Sequence, residues 1–292
     1  MLPVLFSFGT IPVSSYGIFL VLGFLLGVFL VWRLARAWDM DEEKVLDLTL
    51  LTLIGGLAGA RIYFVLENFQ VFSQQLFWIL AFYKYPGFSF WGGIIGGALT
   101  LYFFSKKKRD SFLQLLDIAS VGLVGALVLS DLGCFLGGCA VGIASNLFFS
   151  VNMVGELGKR FPVQILEGIL LLFALSRLWS SATHFHQRGK ILSLSLIYFG
   201  GIKLLTEPLR QAHDEGTFLY FFLAACGVYI FYKVTKRNPL ADLKILTSRE
   251  TLYRLRKYWY NQKAAISWNL RNSKKVLRRF NVRLSHKNNK LY

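Results

Sequence analysis

The chain has 292 residues, of which 54% are hydrophobic, 16% aromatic and only 17% charged, against about 25% charged in an ordinary soluble protein. At a mean hydropathy of +0.48, polar surface is too scarce to cover a soluble core of this size, which excludes a disordered chain and a disulfide-rich secreted module and leaves an integral membrane protein. The net charge of +17 is unevenly spread: residues 236–292 carry 16 Lys and Arg against Asp242 and Glu250, a net of +14, which leaves +3 for everything before them.

A helix needs about 20 apolar residues to cross a bilayer core, and seven stretches meet that need once Gly and isolated polar residues are admitted. They run over Tyr16–Trp32, Val45–Leu66, Phe88–Phe104, Phe112–Leu129, Gln164–Leu178, Ile191–Leu205 and Phe218–Tyr232. The apolar segment Phe69–Phe82 is short and aromatic-rich and reads as interfacial. No basic n-region precedes the first stretch, so a cleaved signal peptide is not expected. The connections alternate in basic residues: none in residues 1–15, then Arg33, Arg36 and Lys44, then Lys84 alone, then Lys106 to Arg109, then Lys159 and Arg160. Arg177, Arg188 and Lys190 follow, then Arg210 alone, then the basic tail. By the positive-inside rule this predicts an all-α polytopic protein of seven helices, amino terminus outside and carboxyl terminus in the cytoplasm. The organisation expected is a membrane body over residues 1–235, with an outward-facing connection over residues 131–163, and a cytoplasmic tail over 236–292. The tail interleaves its charges with Tyr253, Tyr258, Trp259, Tyr260, Trp268 and Phe280, a pattern suited to anionic lipids at the membrane surface rather than to nucleic acid.

Polar groups inside spans are costly and point to function. Arg61, Asp117, Glu167, Lys203 and Glu207 fall inside spans or at their ends, and Arg61 paired with Glu167 is one structural reading. Lys203, Glu207 and Arg210 share a helix face if the helix persists through Pro208, which can kink or end it. Two cations and a carboxylate at a helix end suit a phosphate head group. Arg160-Phe161-Pro162-Val163-Gln164 leads into Glu167, setting Gln164 and Glu167 on one face. Gly55, Gly56 and Gly59 read as helix packing. Around Trp91-Gly92-Gly93 and between Gly133 and Gly142 the glycines are denser than packing needs, and backbone N–H groups there could cradle an anion. Cys134, Cys139 and Cys226 are too few for a disulfide framework and are expected to be small, packed, reduced thiols. No metal-ligand cluster is visible, and no cofactor is expected.

In this order the pieces resemble the prolipoprotein diacylglyceryl transferase family. They are Ser15-Tyr16-Gly17, Gly59-Ala60-Arg61-Ile62-Tyr63, Phe88-Ser89-Phe90-Trp91-Gly92-Gly93, Asp117, the glycine-rich run Leu132 to Gly142, Arg160 to Glu167, and Lys203 with Glu207 and Arg210. The resemblance covers Tyr16 to Arg210. It departs from the family at Trp91, where His is usual, at Asp131, where Arg is usual, at Cys134, commonly Asn, and at Lys203, usually Arg. What the resemblance implies is a multi-pass protein of the bacterial cytoplasmic membrane that moves the diacylglyceryl group of phosphatidylglycerol onto the lipobox cysteine of a prolipoprotein. It implies Tyr16, Glu167, Glu207 and Arg210 as catalytic candidates. Arg61, Gly92, Gly93, Asp117, Asp131, Cys134, Gly142, Arg160, Gln164 and Lys203 become substrate-binding candidates. In this reading Arg61, Lys203 and Arg210 hold the phosphate, Glu167 or Glu207 positions or deprotonates the thiol, and Tyr16 orients the head group. A divergent relative that binds phospholipid or precursor without catalysis, and a membrane transporter, are the alternatives.

Overall fold

The computed structural model describes residues 2–8, 11–73, 76–79, 85, 87–105, 109–184, 186–211 and 216–239. Nearly all belong to one compact unit, Met1–Thr235. The basic tail from 240 onward, with the lipid contact expected of it, and residues 74, 75 and 80–82 of the interfacial segment Phe69–Phe82 lie outside the described residues.

A short hairpin, β1 (Val4–Phe8) and β2 (Ile11–Ser14), precedes α1 (Ser15–Ala37). The hydroxyl of Ser14 caps α1 by accepting from Gly17 N–H at 3.1 Å, and the buried Ser15 ties the helix start to the Leu2 carbonyl. Then come α2 (Glu42–Glu67), the single turn α3 (Phe69–Phe72), α4 (Phe90–Phe104) and α5 (Arg109–Gly137). A loop carrying the two-residue strands β3 (Val151–Asn152) and β4 (Lys159–Arg160) leads to α6 (Val163–Ala182), α7 (Lys190–Thr206) and α8 (Thr217–Thr235). Apart from these two small hairpins the described body is helical.

Six helical segments, α7 counted with the 3-10 turn that follows it to Leu209, are at least 18 residues long and apolar enough to cross a membrane, which makes the body a polytopic membrane protein. The helix Phe90–Phe104 has 15 residues, about 22 Å of rise against a hydrocarbon core of about 30 Å. Outward faces carry the residues lipid would touch, among them Leu25, Ile54, Ile169, Leu172 and Leu205. The core lies where α1, α5, α6 and α7 meet, around Val31, Leu34, Ile118, Val121, Leu171, Leu178 and Ile191.

Backbone approach between α2 and α4 depends on glycine. A Cβ at Gly92 would stand 2.5 Å from the Gly59 carbonyl oxygen, and one at Gly96 2.4 Å from that of Gly55. Gly92 therefore serves the close packing of α2 on α4.

Two boundaries differ from those expected. The fourth span runs on to Gly137, so Asp131 and Cys134 sit on α5 and not in the following connection. Glycine in a helix costs about 1 kcal/mol against alanine, yet α5 continues because Gly133 and Gly137 give room to Tyr16 and Phe19 of α1; a Cβ at Gly133 would stand 2.5 Å from Phe19 Cβ. The second change concerns cysteine. Cys134 and Cys139 form a disulfide, with Cα atoms 5.1 Å apart, so the expectation of reduced thiols is corrected for this pair. The cause is local: Gly138 takes a left-handed φ of 81°, and Cys139 N–H donates to the Cys134 carbonyl at 3.0 Å. This is the Schellman closure of a helix C-terminus, which brings these two positions together. Pro208 acts as expected of a breaker, with α7 giving way at Thr206 to a 3-10 turn over Glu207–Leu209.

Candidate active site

Glu167 lies in the second turn of α6, 1% exposed in its side chain, and every part of its carboxylate is used. Lys203 Nζ donates to Oε2 at 2.9 Å, Thr206 Oγ1 donates to Oε1 at 2.5 Å, and Arg210 Nη2 lies 2.9 Å from both oxygens. Lys203 and Thr206 come from adjacent positions on one face of α7, whereas Arg210 arrives by another route. After the 3-10 turn its backbone is extended, with φ −90° and ψ 145°, and that change of direction aims the guanidinium back at α6. The buried Glu207 begins the turn, and its carbonyl accepts from Arg210 N–H at 3.0 Å. Burial acts against the charge of Arg210, but the Glu167 and Glu207 carboxylates beside it hold the guanidinium pKa above its ordinary value.

The loop after α5 is laid between two other segments at this end of the bundle. Gly142 bridges to Arg210 and Ala144 to Arg160. Ile143 N–H donates to the Leu209 carbonyl, and Phe161 N–H to the Ile143 carbonyl, both at 3.0 Å. Gly142 is required there, because a Cβ would fall 2.1 Å from the Phe161 carbonyl oxygen. Gln164, 1% exposed, clamps the same loop by donating to the carbonyls of Cys139 and Ala140. Arg160 pairs with Glu156 at 2.6 Å. Tyr16, 40% exposed, packs its Cβ on the Gly137 face of α5.

Asp131 faces this cluster from α5. Its Cβ would lie 3.7 Å from a Cβ built on Gly168, the neighbour of Glu167, and it sits within electrostatic range of Lys203, Glu167 and Arg210. Its Oδ2 is buried without a hydrogen-bond partner, as is Gln164 Oε1. Buried polar atoms are ordinarily satisfied, and these two are open to a water or to a polar group of a ligand.

Two candidates stand apart from this cluster. Arg61 donates to the carbonyls of Ile79, Tyr85 and Gly87 at 2.9–3.0 Å and lies over the rings of Phe64 and Phe72. It clamps the connection between α2 and α4, and pairing with Glu167 is not the arrangement found. Asp117 accepts from Gly189 N–H at 2.6 Å and Leu192 N–H at 2.7 Å, capping the first turn of α7. It lies 14 positions before Asp131 on the same helix, about 21 Å away.

Trp91 stands at the start of α4, its ring 5.6 Å from that of Tyr220, which packs on Phe199. Lys203 Nζ lies 5.9 Å from the Phe199 ring. An aromatic wall thus borders the cation–carboxylate cluster, a feature that motif reading missed. Thr206 was missed as well, although its place three residues after Lys203 sets it on the same helical face.

A family model described as prolipoprotein diacylglyceryl transferase matches residues 3–235. The chain belongs to that family. Members similar to it include the phosphatidylglycerol–prolipoprotein diacylglyceryl transferase of Clostridium tetani, 26% identical over 79% of this chain and 97% of the relative. That of Finegoldia magna is 29% identical over 71% and 83%, and that of Streptococcus pneumoniae 30% identical over 71% and 82%. As a member of this family with six span-length helices, the protein is a multi-pass protein of the bacterial cytoplasmic membrane.

Proposed function

We propose that the protein transfers the diacylglyceryl group of phosphatidylglycerol to the lipobox cysteine thiol of prolipoproteins. The observation that carries this reading is the convergence of Lys203 and Arg210 on one buried carboxylate, Glu167, at the end of the bundle where α1, α5, α6 and α7 bring Tyr16, Asp131, Gln164 and Arg210 together. In the reaction the thiolate sulfur attacks the glyceryl carbon that bears the phosphate ester. A C–S bond forms, the C–O bond breaks, and its electron pair leaves on glycerol 1-phosphate. Thiols are weak nucleophiles until deprotonated, and the departing phosphate gains charge that preorganised cations stabilise. Glu167, held by three donors, is suited to positioning Lys203 and Arg210 rather than to taking a proton, and Glu207 is assigned the thiol proton. Tyr16 orients the head group.

The same reading assigns seven spans, with α4 a short one, the Glu167 end outward, and residues 236–292 as a cytoplasmic tail on anionic lipid. The test is transfer from radiolabelled phosphatidylglycerol to a lipobox peptide by the purified full chain. Arg210→Ala should lower kcat/KM by about 100-fold, as loss of one charge-stabilising donor does elsewhere. Unchanged transfer would remove Arg210 from the reaction.

A further inference from the structure

Far from the Glu167 cluster, a cavity of about 380 Å³ opens between the last turns of α1 and α6, lined by Arg33, Leu34, Arg36, Ala37, Trp179 and Thr183. On α6 it lies 12 to 16 residues beyond Glu167, roughly 18–24 Å along the axis. It is therefore at the opposite membrane face. We propose that this cavity binds the phosphodiester head group of an anionic phospholipid from the leaflet opposite the transfer site.

Helix C-termini attract cations because their last carbonyls are unsatisfied, so the arginines require a reason beyond that role. Here several of those carbonyls already have donors. Trp38 N–H caps Leu34 and Ala35 at 3.0 and 3.3 Å. Trp38 Nε1 donates to the Ala182 carbonyl at 2.9 Å. Thr183 N–H and hydroxyl both reach the Trp179 carbonyl, at 3.0 and 3.1 Å. Arg33 makes no ion pair among the described residues, and Arg36 has a loose one, 3.6 Å from the half-exposed Glu42. Two guanidiniums thus border a hollow whose floor is apolar, Leu34 being fully buried.

The depth is set by tryptophan. Trp32, Trp38 and Trp179 gather at this level, with Trp32 Nε1 donating to Glu42 at 2.5 Å and Trp38 Nε1 to Ala182. Indoles concentrate where lipid head groups meet the hydrocarbon, so the arginines stand at phosphate height while the apolar floor can take the first acyl carbons. Basic pockets between helices suit anionic head groups. The lining contains no acidic residue to attract the ammonium of a zwitterionic lipid.

The experiment is native mass spectrometry of the full chain carrying Arg210→Ala, which silences the proposed donor site, titrated separately with phosphatidylglycerol, phosphatidylcholine and inorganic phosphate. One phosphatidylglycerol should be retained in preference to phosphatidylcholine. At about 1 kcal/mol per basic residue, Arg33→Ala should weaken it about five-fold and the Arg33→Ala/Arg36→Ala pair about 25-fold, with Arg33→Lys much milder. Retention unchanged by the double substitution overturns the site, and so does equal retention of phosphatidylcholine. Arg33-dependent binding of inorganic phosphate without retained lipid overturns the lipid assignment. Because these outcomes do not involve transfer, they stand apart from the test of Arg210.

Discussion

At the scale of single residues, the feature that most sets the site's character is the surplus of carboxylate. Glu167 neutralises part of the charge on Lys203 and Arg210, and Asp131 adds another acidic group within their range while one of its oxygens bonds nothing. A donor phosphate approaching the two cations must compete with Glu167 and tolerate Asp131. Asp131→Asn keeps the shape and removes the repulsion, so KM for phosphatidylglycerol should fall about five-fold, the equivalent of about 1 kcal/mol, with kcat little changed. If Asp131 instead accepts a hydroxyl of the head group, KM rises, and the electrostatic account is wrong. The sequence placed Glu167, Lys203 and Arg210 among the candidates because ionisable residues in spans are few. It could not tell that Arg61 holds the connection between α2 and α4, since the carbonyls of Ile79, Tyr85 and Gly87 that it donates to carry no side-chain signature. Nor did it show that Asp117 caps α7, because the Gly189 and Leu192 N–H groups it accepts from are 72 and 75 residues distant.

At the scale of elements, hydropathy located the helices well because lipid imposes one rule on every span, and it failed at their ends, where tertiary contact decides. Helix α5 outlasts its apolar run because its terminal glycines fit against Tyr16 and Phe19. The glycines of α2 and α4 offer the sharpest measurement of this kind. A Cβ at Gly92 would meet the Gly59 carbonyl oxygen at 2.5 Å and Tyr63 Cβ at 2.4 Å, whereas one at Gly93 would find its nearest atoms at an ordinary 3.7 Å. Overpacking of this sort costs about 1–3 kcal/mol. Gly92→Ala should therefore lower the thermal midpoint of the detergent-solubilised protein by several degrees, and Gly93→Ala should leave it unchanged or raise it slightly through better helix propensity. Equal effects at the two positions would mean that α2 and α4 are not in close backbone contact. An anion cradle would predict the reverse contrast in activity, with Gly93→Ala harmful.

At the scale of the whole molecule, four helix ends meet at one face: the start of α1, the end of α5, the start of α6 and the end of α7, joined through Gly137 with Tyr16, Gln164 with Cys139, and Arg210 with Glu167. The Cys134–Cys139 disulfide lies at this face, and disulfides persist on the oxidising side of a bacterial membrane. The outward orientation proposed for the Glu167 end rests on charge as well, because Arg33, Arg36, Arg188 and Lys190 gather toward the other ends of α1, α6 and α7, the pattern of a cytoplasmic face. The two arguments share no premise, one being redox and the other electrostatic, so a single labelling experiment tests both. In intact spheroplasts, a membrane-impermeant reductant followed by denaturation and alkylation should expose two thiols beyond Cys226, the third cysteine, which lies on α8. Without reductant, alkylation should find Cys226 alone. Three reactive thiols before reduction would dissolve the disulfide, and a bond broken only by a permeant reductant would turn the Glu167 face toward the cytoplasm, where no secreted precursor presents its lipobox after export.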